Sequence, residues 1–148
     1  MRFSRSISLL VSAASLGALL SAASASPLVP PTADEVFRLS AKSDRPGSLL
    51  LSWTMAPGTY LYRDRISATL ADRPVDARLD PGTIQDDPVF GPTEIYRDHI
   101  EARIDMPASV SGDRLTVSYQ GCAEHTLCYP PVVKSIDLKT LEVGDAPD

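Results

Sequence analysis

The sequence predicts an all-β chain, a sandwich or barrel of roughly seven short strands. Three observations point there. Apolar and polar residues alternate with a period of two in most segments after residue 36. Gly, Pro and Asp clusters punctuate those segments at short intervals. No stretch carries a convincing 3.6-residue apolar period.

Phe37 and Leu39 alternate with polar neighbours, and Asp44-Arg45-Pro46-Gly47 reads as a turn. Ser48 to Met55 is a strand carrying the only tryptophan, Trp53, most simply a core residue. Ala56-Pro57-Gly58 breaks it. Thr59 to Leu70 reads as one further strand, with Tyr60 and Tyr62 on one face and Leu61 on the other. Ala71 to Pro74 is a turn, and Val75, Ala77 and Leu79 alternate again. Ile84 to Tyr96, with Pro88, Gly91 and Pro92 inside it, reads as irregular. Ile100 to Met106 and Leu115 to Tyr119 are strands separated by a turn at Ser111-Gly112-Asp113. Val132 to Leu138 is a last strand, and Thr140 to Asp148 a polar tail. Among two-layer arrangements this pattern best suits an immunoglobulin-like β-sandwich.

The N-terminus bears on compartment. Arg2 and Arg5, the apolar run Ile7 to Leu20 and then Ala23-Ser24-Ala25 have the order of a secretory signal peptide, residues 1–25. The run is short for a retained anchor. The remainder, 26–148, is then one exported domain with a Pro-rich start. No later segment approaches the ~20 apolar residues of a membrane helix, so it is not membrane-embedded. The whole chain carries a net charge of −5, and losing Arg2 and Arg5 makes it more acidic. That argues against nucleic acid and anionic lipid as partners.

Both cysteines, Cys122 and Cys128, lie in the exported part, where two cysteines usually form a disulfide. They sit in Tyr119-Gln120-Gly121-Cys122-Ala123-Glu124-His125-Thr126-Leu127-Cys128-Tyr129-Pro130-Pro131, between two strands, as at the end of a β-hairpin. Such ends can approach the Cα separation of about 5.5 Å that a disulfide uses. The closed loop is short, so its entropic stabilisation is small compared with a bridge between distant strands. Gly121 admits close backbone approach before Cys122. Pro130 and Pro131 donate no ladder bonds and keep the exit irregular and reachable. A reachable disulfide in a short loop is the kind that exchanges. The alternatives are a structural clip in a protein-binding sandwich, and a copper or zinc carrier using Cys122, His125 and Cys128. The carrier lacks an evident fourth ligand. His125 otherwise reads as an exposed loop residue, or as an imidazolium that favours the thiolate.

The cysteine segment resembles the active-site segment of the N-terminal periplasmic domain of the thiol:disulfide interchange protein DsbD. Gly58-Thr59-Tyr60-Leu61-Tyr62-Arg63 and Glu94-Ile95-Tyr96-Arg97-Asp98 match the same family in the same order. The resemblance spans about Phe37 to Leu138. It implies an immunoglobulin-like fold with a redox-active cysteine pair at one end. It also implies a disulfide-reductase component that takes electrons from a thioredoxin-like or membrane donor. The recipients would be oxidised periplasmic disulfide isomerases or cytochrome c maturation proteins. Cys128 would form the mixed disulfide and Cys122 would resolve it, with no metal, nucleotide or flavin needed.

The family's cap loop corresponds to Asp86-Asp87-Pro88-Val89-Phe90-Gly91, with either Val89 or Phe90 as the capping residue. Asp87 matches a family carboxylate whose charge would disfavour a nearby thiolate. Tyr60 and Tyr62 would pack beneath the cysteines, and Glu94 and Arg97 read as a solvated or locally paired set. The chain stops at Asp148, which implies a stand-alone module reduced by a separate partner.

Overall fold

The computed structural model describes residues 29–109 and 111–147. The export signal assigned to residues 1–25 lies outside them. A four-residue helix, α1 (Ala33–Val36), opens the described chain, and the Glu35 carboxylate caps it by accepting from the Thr32 backbone N–H (2.6 Å) and hydroxyl (2.8 Å). It leads into β1 (Phe37–Arg45), which turns through Pro46-Gly47 into β2 (Ser48–Met55). After Ala56-Pro57-Gly58 come β3 (Thr59–Tyr62), a 3₁₀ turn Arg63–Arg65, and β4 (Ser67–Leu70). Ala71 and Asp72, both at positive φ, turn the chain into β5 (Arg73–Val75), followed by β6 (Ala77–Leu79). A hairpin, β7 (Thr83–Asp87) and β8 (Gly91–Arg97), leads through Asp98 to β9 (His99–Asp105). Then come β10 (Arg114–Tyr119), β11 (Gly121–Ala123), β12 (Leu127–Cys128), β13 (Val132–Asp137) and β14 (Val143–Asp145).

The strands form three sheets, ordered β1-β2-β9-β6, β14-β13-β10-β4-β5 and β12-β11-β3-β8-β7. Every pairing is antiparallel. The first two sheets enclose the main core. Leu51, Trp53, Ala102 and Ile104 come from one; Leu70, Leu115, Val117 and Ile136 come from the other. Burying each of the larger aliphatic side chains contributes about 1.5–3 kcal/mol. Trp53 meets Tyr119 across the layers in an edge contact, with ring centroids 5.8 Å apart. The expected all-β sandwich is therefore present, and the third sheet closes one end of it.

Three differences from the sequence reading stand out. Thr59 to Leu70 is two strands in two sheets, because the 3₁₀ turn at Arg63–Arg65 interrupts the ladder and redirects the chain. The apolar alternation survives on both sides of that break, which hides it: Leu61 and Ala68 both join the main core. Ile84 to Tyr96 is mostly ordered hairpin. Pro88 and Gly91 fall at its turn, between paired Asp87 and Gly91. Pro92 pairs with Asp86 of β7 on the part of β8 that β3 does not reach, since β3 pairs only Ile95–Arg97. The polar tail adds β14 to the edge of β13. These extra short strands raise the number well above seven.

Candidate functional site

The third sheet positions the cysteines. Cys122 on β11 is directly opposite Cys128 on β12 and opposite Tyr60 on β3. The Gly121 carbonyl accepts from the Tyr129 N–H (3.0 Å), one position outside the cysteine pair. That leaves the pair at the non-hydrogen-bonded, closely spaced position of an antiparallel ladder. The two are joined as a disulfide with a Cα separation of 4.0 Å, shorter than the 5.5 Å expected. Gly121 lets β11 lie close against β3, since a β-carbon there would collide with the Tyr60 carbonyl oxygen and lie 2.8 Å from Phe37 Cζ. The hairpin exit is pinned as well: Tyr129 packs edge-on against Phe37 and donates to the Pro31 carbonyl (3.0 Å).

The two sulfurs meet different surroundings. Cys122 is 1% exposed, whereas Cys128 is exposed at the surface. Cys122 belongs to a second, small cluster with Tyr60, Tyr62 and Ile95, on the opposite side of β3 from Leu61 and the main core. The period of two in β3 thus divides the packing between core and site.

Within this cluster the Tyr62 hydroxyl lies 3.0 Å from Cys122 Sγ. The same hydroxyl donates to Asp87 Oδ2 (2.7 Å), as does the Tyr60 hydroxyl (2.8 Å). Asp87 Oδ1 accepts from the backbone N–H groups of Val89 (2.8 Å) and Phe90 (3.0 Å). Asp87 is only 3% exposed. Burial alone would raise its pKa, but the donors from Tyr62, Tyr60, Val89 and Phe90 outweigh burial and hold the carboxyl below its ordinary value. Burial and the adjoining carboxylate push both tyrosines upward, Tyr62 strongly. The site therefore keeps a buried carboxylate and two neutral phenols next to the inner sulfur.

Of the two cap candidates, Phe90 is the one that packs inward. Its ring meets Tyr62 edge-on, with centroids 5.2 Å apart, while Val89 is 65% exposed. Tyr60 and Tyr62, read as supporting residues, bond directly to the carboxylate. Glu94 and Arg97 do not pair with each other. Glu94 takes Arg63 (3.1 Å) and the Gly82 N–H, and Arg97 takes Glu124 at the hairpin tip. His125 sits exposed at that tip with φ 57°. In this state the sulfurs that a Cys122–His125–Cys128 metal site would use are bonded to each other.

Arg65 escaped the sequence reading, and the aromatic contact of Arg97, read there as part of a solvated or locally paired set, escaped it too. Arg97 lies 5.2 Å from the Tyr60 ring centroid, and Arg65 lies 5.0 Å from that of Phe90. No signal in the sequence marks the second, because in a continuous strand Tyr62 and Arg65 would face opposite sides and only the 3₁₀ turn brings them together.

A hairpin disulfide set at the end of an all-β sandwich, one half open and the other against a tyrosine bonded to a buried acid, puts the chain in the class of β-sandwich domains with an unequally exposed cysteine pair. Residues 27–140 match the family described as "Thiol:disulfide interchange protein DsbD, N-terminal", and the chain belongs to that family. It is 36% identical over 137 residues to thiol:disulfide interchange protein DsbD of Cronobacter sakazakii, which takes in 92% of this chain and 23% of that protein. Against DsbD of Escherichia coli K12 it is 34% identical over 141 residues, 95% of this chain and 24% of that one. The chain thus spans about a quarter of the length of these relatives.

Among solved structures, the reduced N-terminal domain of Neisseria meningitidis DsbD superposes with a TM-score of 0.63 at 24% identity, covering 80% of this chain and 92% of that one. The complex of the DsbD and PilB N-terminal domains from the same organism gives 0.61 at 25%, covering 76% and 88%.

Proposed function

We propose that the chain passes electron pairs between proteins by exchange at Cys122 and Cys128. The observation that carries this reading is the unequal exposure of the two halves of the disulfide. An incoming sulfur can meet Cys128 at the surface, whereas Cys122 is enclosed by Tyr60, Tyr62 and Ile95.

In the reduced protein the Cys128 thiolate attacks a disulfide of the client. A mixed disulfide forms and one client thiolate leaves. Cys122 then loses its proton and attacks Cys128 Sγ. The second client thiolate leaves, the Cys122–Cys128 disulfide closes, and the client has gained two electrons. A dithiol donor reverses the sequence and restores both thiols. The Tyr62 proton goes to Asp87, so the hydroxyl oxygen 3.0 Å from Cys122 Sγ is placed to accept from the Cys122 thiol of the reduced protein and keep it protonated until it attacks.

Family membership supports a thioredoxin-like or membrane partner as the donor, and oxidised periplasmic disulfide isomerases or cytochrome c maturation proteins as the clients. The Neisseria complex with the PilB N-terminal domain supports docking of a partner domain on this fold. The reading assigns residues 1–25 to a cleaved export signal, residues 26–148 to the exchange domain and the domain to the periplasm.

The test is the reduction potential of the pair, by equilibration in defined thiol buffers and alkylation. A value of roughly −180 to −270 mV is expected, and one below about −300 mV would mark a structural clip instead. Cys122→Ala is then expected to accumulate a mixed disulfide on Cys128 with an oxidised client.

A further inference from the structure

Phe90 has a surface of its own to keep in place. Asp87 holds the backbone of the turn through the Val89 and Phe90 N–H groups, but the Phe90 side chain is 44% exposed. On its inner side it meets Tyr62, and 5.0 Å from its ring centroid lies the Arg65 guanidinium. Tyr62 and Arg65 are three residues apart across the 3₁₀ turn Arg63–Arg65, a spacing at which side chains project to the same side. One short segment thus supplies both contacts to the cap.

The contacts extend in a row. Arg65 meets Phe90, Phe90 meets Tyr62, Tyr62 meets Tyr60 at 5.4 Å, and Tyr60 meets Arg97. The inner arginine, Arg97, is tied down by Glu124, and Arg63 is tied by Glu94. Among the described residues Arg65 forms no ion pair and is exposed, so its attraction to the Phe90 ring is not shared with a carboxylate.

We propose that Arg65 is the latch of the Asp87–Phe90 turn: it holds Phe90 against Tyr62, whose hydroxyl lies 3.0 Å from Cys122 Sγ, and so sets how often that turn opens. It is a positioning residue, acting through Phe90 and not on the sulfurs. An exposed cation–π contact of this kind corresponds to about a two- to fivefold shift in the opening equilibrium. The latch stands independently of the exchange reading.

The experiment is amide hydrogen exchange on the oxidised full chain, followed at Val89 and Phe90. Their N–H groups are bonded to Asp87 Oδ1 and exchange when the turn opens. Arg65→Gln is expected to speed both amides about two- to fivefold and to leave Leu51, in the core, unchanged. Arg65→Lys, which keeps a cation, restores part of the protection. In a Phe90→Leu background Arg65→Gln adds nothing, because the ring it acts on is gone.

Unchanged exchange in Arg65→Gln, or the same acceleration with Leu at position 90, overturns the latch. Failure of the exchange reading itself appears elsewhere, in the reduction potential of the wild-type pair.

Discussion

Asp87 is the residue on which the site's electrostatics turn. It is buried, yet four donors keep it ionised, and it is linked through Tyr62 to Cys122. A folded-state pKa below the ordinary 3.8 means that the ionised group stabilises the fold above that pH. The contribution is lost as pH falls from there through the lowered folded value. Asp87→Asn is expected to reduce stability at neutral pH by about 1–3 kcal/mol, because the amide accepts from fewer of the four donors. It should also flatten the acid limb of stability against pH. Urea unfolding from pH 7 down to pH 3 checks both. In the reduced variant the Cys122 thiol should ionise more readily, since a nearby negative charge that disfavours the thiolate is gone; alkylation rate against pH reads this directly.

At the scale of elements, the site depends on β11 lying hard against β3. The pairing Gly121↔Leu61, Cys122↔Tyr60 and Ala123↔Thr59 brings the inner sulfur to the Tyr62 hydroxyl. Gly121→Ala is expected to push β11 away, because the new methyl would strike the Tyr60 carbonyl and crowd Phe37. Overpacking of this kind costs about 1–3 kcal/mol. Beyond the lower urea midpoint, the variant should show a Tyr62 ring environment altered in near-ultraviolet circular dichroism. A normal midpoint with an unchanged tyrosine signal would show that the close approach is not required.

Across the whole molecule, both ends of the described chain are fastened to one buried cation. Lys134 on β13 bonds Asp34 of α1 and Asp145 of β14, each at 2.6 Å. Burial alone would lower the lysine pKa, but the two carboxylates outweigh it and raise it, while Asp145 is lowered by the same contact. The two sides of the contact are unequal, since Lys134 is buried and both aspartates are open to water. Removing Lys134 returns two carboxylates to solvent; removing both aspartates strands a buried ammonium. Lys134→Met is therefore expected to lower the urea midpoint less than Asp34→Asn combined with Asp145→Asn. The opposite ranking would mean that the cation itself, not its neutralisation, holds the ends.

How much of this was legible depended on the range of the interaction. β2 was readable to the residue as Ser48–Met55, because alternation and the flanking Pro-Gly turns are local signals. The disulfide was readable too, since its two halves lie in one hairpin. The break at Arg63–Arg65 was not, because a 3₁₀ turn leaves the apolar alternation intact on either side. Nor was the β7–β8 hairpin, whose Pro and Gly residues mimic irregular chain until their place at a turn and an open edge is known.

By itself, then, the sequence determined the all-β class, the two-sided character of β3 and the pairing of Cys122 with Cys128, all of which rest on neighbours within a strand or hairpin. Only the tertiary structure decided that Cys122 is enclosed and Cys128 open, that Asp87 takes both tyrosine hydroxyls, and that Phe90 faces inward under Arg65. Those contacts join residues about 25 or more positions apart through the packing of three sheets, and no local period encodes which side of a loop will face its partner.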